Sequence, residues 1–375
     1  MSRTILVTGG AGFVGSHLVD ALVERGERVR VLDNLDPQVH GTERRVPGWL
    51  PTTNVELVRG DVRDRAIWEI VLDDVSVVYH LAAAVGVGQS MYRVADYTEV
   101  NTQGTANLLQ ALIDREVPLD RLVVASSMSI YGEGRYRRAD GRRPRRVRRS
   151  SEALRRHEWE PRDADGAALM PVPTDEDKPL DPTSIYALSK KDQEAMTLLI
   201  GEAYDIPTTA LRFFNIYGPR QALSNPYTGV VAIFSSRLLN GQPPLIYEDG
   251  AQQRDFVCVH DIVRALLLAA EEPGAVGRAL NIGSGAPVTI LGVARRLAKV
   301  LGVDIEPEIT GRYRVGDVRH CTADITRARE TIGYEPRVAF EEGLEELLDW
   351  LGGQDRPESR AGEHVAELAA RGLAF

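Results

Sequence analysis

The run Thr8-Gly9-Gly10-Ala11-Gly12-Phe13-Val14-Gly15 constrains the fold of this chain more than any other stretch. It follows the apolar Ile5-Leu6-Val7 and precedes an apolar, helix-spaced segment from His17 to Glu24. The order is strand, glycine-rich turn, helix. Such a turn lets backbone N–H groups approach a pyrophosphate and aims a helix N-terminus at it, where unpaired N–H groups and the dipole favour an anion. Gly9, Gly12 and Gly15 stand in the spacing GxxGxxG, a variant of GxGxxG. A tight turn with no ligand would use glycines too, so the context decides. Gly26 stops the helix, and a second strand, Arg28 to Leu32, ends in Asp33. A carboxylate about 20 residues downstream, at a strand's C-terminal end, is the expected acceptor for an adenosine ribose hydroxyl and disfavours a 2′-phosphate. The reading is a dinucleotide site that prefers NAD to NADP.

The 375 residues suffice for one large or two ordinary domains. A net charge of -9 and a pI near 5.4 argue against a general nucleic-acid binder. Two cysteines, Cys258 and Cys321, allow neither a disulfide framework nor a cysteine-rich metal site, and no metal is expected. No signal peptide and no long apolar run is legible, so a soluble, cytoplasmic protein without a membrane partner is expected.

Strand-like and helix-like segments then alternate: Val55-Val58, a helix near Arg65-Leu72, Val77-Leu81, a helix near Tyr92-Arg115, and Leu122-Ala125. This alternation predicts an α/β, Rossmann-type doubly wound parallel sheet. Ligands of such sheets bind beyond the carboxyl ends of the strands, where Asp61, Leu81-Ala82-Ala83-Ala84 and Ser126-Ser127 fall. Asp61 is read as an acceptor for the adenine amino group, and the small residues after Leu81 as room for phosphate and ribose.

Residues 133 to 178 break the pattern, with arginine dominating from Arg135 to Arg149. The segment reads as a surface insertion, either a solvated loop or a flap whose arginines approach an anionic substrate or a partner subunit. Order resumes at Pro182-Thr183-Ser184, a helix start. Tyr186 and Lys190 come next, at i and i+4 on one helical face. An ammonium beside a phenol lowers its pKa from about 10 and makes it a base near neutral pH. Cys258 reads as core, and His260-Asp261 as a helix cap rather than a catalytic pair.

The motifs TGGAGFVG, SSMSIYG, YALSK, LRFFNIYGPRQ and RDFVCVHDI together resemble the extended short-chain dehydrogenase/reductase family, in its NAD-dependent nucleotide-sugar epimerase and dehydratase branch. The resemblance implies an NAD-binding Rossmann domain over residues 1–212, with the insertion at 133–178 and a contribution from 255–283. A smaller C-terminal substrate-binding lobe over 213–254 and 284–375 would hold an NDP-sugar. Ser127 would complete a Ser127/Tyr186/Lys190 triad. Gly9, Gly12, Phe13, Val14, Gly15, Asp33, Asn34, Asp61, Val62, Leu81, Ala82, Ala83, Asn101, Ser126, Tyr186, Lys190 and Phe213 would meet the cofactor. Val85, Ser127, Ser129, Tyr186, Asn215, Val230, Tyr247, Arg254 and Arg314 would meet the substrate, with the two arginines on its diphosphate and Tyr247 stacking. Segment Tyr227-Asn240 resembles the helix beside the nucleotide, and the tail beyond Gly352 reads as peripheral.

The activity expected from the resemblance is a 4-epimerase working through a transient 4-keto sugar. Val85 to Met91 and Phe213 to Tyr227 are most similar to enzymes of deoxysugars, which points to a dTDP-deoxyhexose or a related NDP-sugar. A 4,6-dehydratase needs an Asp-Glu pair after the triad hydroxyl, where this chain has Met128-Ser129. A 4-keto-sugar reductase would favour NADPH, against Asp33, while a uronic-acid decarboxylase stays open. A non-catalytic NAD-binding regulator would be expected to lack part of the triad. The helices near Asn101-Asp114 and Ser184-Tyr204 resemble those of a homodimer interface in the family.

Overall fold

The computed structural model describes residues 4–222, 229–314, 316–353 and 370–372. Tyr227, Val315 and most of the tail beyond Gly352 therefore lie outside the described residues. Seven parallel strands form the central sheet: β1 (Thr4–Thr8), β2 (Arg28–Asp33), β3 (Val55–Arg59), β4 (Val75–His80), β5 (Arg121–Ser127), β6 (Thr208–Phe213) and β7 (Arg278–Ile282). They run in the order β7-β6-β5-β4-β1-β2-β3. The order reverses between β1 and β4, which opens the crevice where such sheets take ligands. Every residue of β1 and of β6 is buried, as their near-continuous apolar and threonine runs require when helices cover both faces.

Helix α1 (Phe13–Glu24) leaves the glycine turn and packs against the later helix Val259–Glu271. The expected Tyr92-Arg115 helix is broken into Val94–Tyr97, a π-helical stretch Thr98–Gln103, and α2 (Gly104–Asp114). The wider turn carries Asn101. Helix α3 (Ile185–Ala203) starts at Ser184, whose hydroxyl accepts from the Ala187 N–H at 3.1 Å. Then come α4 (Val230–Leu239), α5 (Val259–Glu271), α6 (Ile290–Val300) and α7 (Phe340–Gly352). Among the described residues no helix is long and apolar enough to cross a membrane.

A second sheet joins Asn215–Tyr217, Gln253–Cys258, Pro287–Thr289 and His320–Cys321. Its core packs Phe234, Leu238, Phe256, Leu297, Leu344 and Leu347 together. The lobe boundary expected between residues 254 and 255 falls inside the strand Gln253–Cys258, whose two ends pair with this second sheet. Only α5 and β7, further along the chain, complete the dinucleotide fold. Cys258 is core, and burial pushes its thiol up to about 11. Asp261 is no helix cap: it accepts from the Arg337 and Val338 N–H groups and pairs with Arg264.

The insertion is exposed as expected but carries structure of its own, and none of its described residues lines the crevice. Arg135–Arg137 and Met170–Val172 form an antiparallel pair, and Tyr136, Val147 and Leu169 make a core of their own. Several of its arginines pair within the chain: Arg135 with Asp175, Arg138 with Asp163 and Asp165, and Arg148 with Asp181. Arg149 is buried, held by Glu133 at 3.3 Å and Glu248 at 2.6 Å, and donates to the Asp317 carbonyl oxygen.

Candidate active site

The glycine turn is as tight as its spacing implies. Gly9 has φ +69°, and a Cβ there would lie 2.9 Å from the Ala82 nitrogen. A Cβ on Gly15 would stand 2.2 Å from the Gly9 carbonyl oxygen, so only glycine lets α1 start against the turn. Asp33 ends β2 and is buried, with Oδ2 accepting from Ala11 N–H at 3.0 Å and Oδ1 from Leu35 N–H at 2.8 Å. His40, which no sequence signal marked, lies 3.8 Å from the same carboxylate. Asp61 accepts from Arg63 and, at 2.9 Å, from Asn34. The Arg63 guanidinium above all holds its carboxyl down to about 2.

One cavity of about 820 Å³ is lined by every expected cofactor and substrate residue except Asn101. Asn101 is fully buried instead. Its amide accepts from Ala84 N–H at 2.8 Å and donates to the Ala84 carbonyl and to Ser189 Oγ. It fastens the loop after β4 to the helix that carries Tyr186, and so shapes the site without facing it.

Ser127 caps the short turn after β5, and its Oγ accepts from Ser129 N–H at 3.2 Å and Ser129 Oγ at 2.9 Å. That leaves its own proton for Tyr186, to which it is hydrogen-bonded. Burial raises the Tyr186 phenol and the Ser127 bond offsets part of the rise. The expected lowering by Lys190 is not met, for a structural reason. Lys190 is 3 % exposed, burial depresses its ammonium to about 7, and it donates to Gln193 Oε1 at 2.7 Å. Gln193 continues through Thr105 (2.7 Å) and His80 (3.0 Å) to Thr8 (2.9 Å), a buried chain that ends at the glycine turn. Gln193 and His80 were missed; three residues beyond Lys190 on the same helix, Gln193 alone was within reach of helical spacing.

Ser126 lines the cavity, but its hydroxyl is spent on Glu194 at 2.6 Å. Glu194 in turn holds the buried Arg212 of β6 at 2.5 Å. Arg254 spends its guanidinium on the Gln253, Val318 and Arg319 carbonyls and on Asp317, while Arg314 pairs with Asp317 at 3.1 Å and covers the Tyr247 ring at 4.8 Å. One face of Tyr247 is thus taken by Arg314. Although burial pushes the Asp317 carboxyl up, Arg314, Arg254 and Arg149 outweigh it and hold it below its usual range. Four buried polar atoms on the cavity wall have no hydrogen-bond partner among the described residues: Asn215 Oδ1, Gln221 Oε1, Gln252 Oε1 and Arg314 Nε. Orphaned polar atoms of this kind suit a polar ligand that pairs them. The glycine turn, a carboxylate at the end of β2 and these unpaired atoms fit NAD and a charged, hydroxylated partner.

A doubly wound sheet with this turn and a Ser/Tyr/Lys group at the strand ends defines an extended short-chain dehydrogenase/reductase. The family model of the NAD dependent epimerase/dehydratase family matches residues 5–153, and that of GDP-mannose 4,6 dehydratase matches residues 166–347. The chain belongs to the NAD dependent epimerase/dehydratase family, and its cofactor is NAD. It is 37% identical to the dTDP-L-rhamnose 4-epimerase of Burkholderia thailandensis over 93% of this chain and 95% of that one. Among solved structures it resembles the UDP-glucose 4-epimerase of Thermotoga maritima (31% identity, TM-score 0.76, 93% of this chain and 98% of that one). It also resembles the UDP-glucuronic acid 4-epimerase of Bacillus cereus in complex with UDP-glucuronic acid and NAD (28% identity, TM-score 0.76, 93% and 99%).

Proposed function

We propose that this NAD-dependent nucleotide-sugar 4-epimerase acts on a dTDP-deoxyhexose, with Ser127, Tyr186 and Lys190 as its catalytic residues. The observation that carries the reading is the shared cavity, in which glycine turn, Asp33, triad and diphosphate arginines meet. Likeness to the Burkholderia enzyme supports the deoxysugar, and so does the wall itself. Val85, Val87 and Met91 stand on it, 52%, 45% and 41% exposed, an apolar surface suited to a methyl-bearing sugar.

NAD, when bound, supplies reversible hydride exchange at C4 of the sugar. The chain supplies the proton chemistry and the positioning. Gly9, Gly12, Phe13, Val14 and Gly15 would take the pyrophosphate, Asp33 the ribose, and Asp61, Val62 and Asn34 the adenine side. The Tyr186 oxygen accepts the 4-hydroxyl proton and later returns it, and Ser127 donates to the same sugar oxygen. Lys190 stands one helical turn away, its ammonium depressed by burial to about 7. Arg314 and Asn215 would hold the diphosphate, arginine's fork matching its oxygens, and Arg254, its Nη groups spent on carbonyls and Asp317, would add its Nε and its charge. Met128 and Ser129 offer no acid or base for carbon, which favours epimerisation over dehydration.

Incubating a panel of NDP-sugars without added cofactor, with deuterium at C4, tests this. A dTDP-deoxyhexose should interconvert with its 4-epimer, retain the label and take none from solvent. Label at C6 with solvent deuterium at C5 would make the enzyme a dehydratase, and carbon dioxide release from a uronate would make it a decarboxylase.

The working unit we infer is a cytoplasmic homodimer. Leu188 and Leu199 lie eleven residues apart on one face of α3, 43% and 64% exposed, and would pair isologously. Both cysteines are free and buried, which suits a reducing compartment.

A further inference from the structure

Nine arginines lie between Arg135 and Arg149, and none of them lines the catalytic cavity. Six guanidiniums, from Arg138, Arg142, Arg143, Arg146, Arg148 and Arg162, line a second cavity of about 410 Å³ on the insertion. Among the described residues the only carboxylate in its wall is Asp163. The other counter-charges do not line it, and several are shared. Asp181 serves both Arg146, at 3.1 Å, and Arg148, at 2.7 Å. Asp175 serves Arg135 at 2.5 Å and Arg143 only at 3.5 Å. Asp163 and Asp165 both serve Arg138, Asp140 serves Arg142, and Arg162 spends one N–H on the Gly166 carbonyl oxygen. The positive charge is therefore incompletely balanced, and a guanidinium cannot shed it by losing a proton.

The heads of Arg142, Arg146 and Arg148 are 76%, 71% and 61% exposed at this cavity, with donors left for a ligand. The volume falls in the range of small-molecule sites and exceeds what one inorganic ion fills. Planar forks converging from several directions match phosphate oxygens bidentately. None of the six arginines lines the cofactor and substrate cavity, so the two sites are separate.

We propose that this cavity is a second anion site that takes a phosphate-bearing small molecule, a diphosphate or larger. The charge alone would also attract nucleic acid, but the acidic whole, at a net -9, disfavours an extended polyanion and leaves a compact one.

Titration of the full chain with inorganic pyrophosphate at constant ionic strength, monitored by calorimetry, tests the proposal. One saturable binding event should weaken at least tenfold in the R142S/R146S/R162S variant and persist in Arg314→Ala, whose own loss of pyrophosphate binding is confined to the catalytic cavity. Arg162→Ser alone, which breaks no ion pair among the described residues, should weaken binding at least threefold and replaces the triple variant if that one unfolds. Absence of saturable binding would overturn the site. So would binding lost in Arg314→Ala but kept in the arginine variants, or tighter binding of a single-stranded oligonucleotide than of pyrophosphate through the same three arginines.

Discussion

Burial raises the Tyr186 phenol while it drives the Lys190 ammonium down to about 7, so the two groups start from opposite handicaps. The cavity holds Tyr186 as a proton donor at neutral pH, and the base form must be favoured by charge that arrives with the ligands. Tyr186→Phe keeps the ring and removes the proton acceptor; kcat should fall about 10²–10⁴-fold with KM little changed, read by steady-state kinetics. Lys190 sits where a single hydrogen bond matters, and Gln193 supplies it. Asp33→Ala should erase the preference for NAD over NADP, since its carboxylate both accepts at the ribose and repels a 2′-phosphate. Equal binding of the two cofactors by the unmodified protein would contradict that reading.

Two elements at two distances from the chemistry are limited in different ways, one by buried charge and one by steric room. The insertion is pinned by Arg149, its side chain 4% exposed between Glu133 and Glu248, and its removal takes a buried cation from each of two buried carboxylates. Arg149→Ala should cost about 3–5 kcal/mol in chemical denaturation, the usual penalty for breaking a buried pair. Arg142→Ala, at a solvated position, should leave the unfolding midpoint where it is. At the glycine turn the limit is steric. Gly15→Ala would push a methyl into the Gly9 carbonyl, so bound NAD should be lost on purification, as its absorbance in the denatured extract would report.

The molecule as a whole keeps two histidines neutral in its interior. Desolvation lowers His17 to about 4 and His80 to about 3, each from an unfolded value of 6.5. Between those values the unfolded chain binds protons that the folded chain refuses, so stability is complete above pH 6.5 and falls as pH drops toward 4. The thermal midpoint should decline through that window, and His80→Asn should flatten the decline. A homodimeric mass by light scattering at micromolar concentration is the matching expectation for assembly, and Leu199→Glu on the exposed face of α3 should yield monomers.

Local patterns alone determined the strands, the glycine turn and the Tyr186–Lys190 spacing, because each is set by residues adjacent in the chain and by the backbone period. β1, β2 and the turn between them fall where apolar runs and glycines stand, and the seven-stranded sheet results from their alternation with helices. Asn101 was legible as a neighbour of the site but not as a fastener, since Ser189, 88 residues away, is what turns its amide inward. Most of the run of arginines is solvated, and Arg149 is drawn inside because its partner Glu248 stands 99 residues further along the chain. The sign of the Tyr186 shift reversed for the same cause. Desolvation depends on everything packed around a group, and that sum is formed only when distant segments close upon one another.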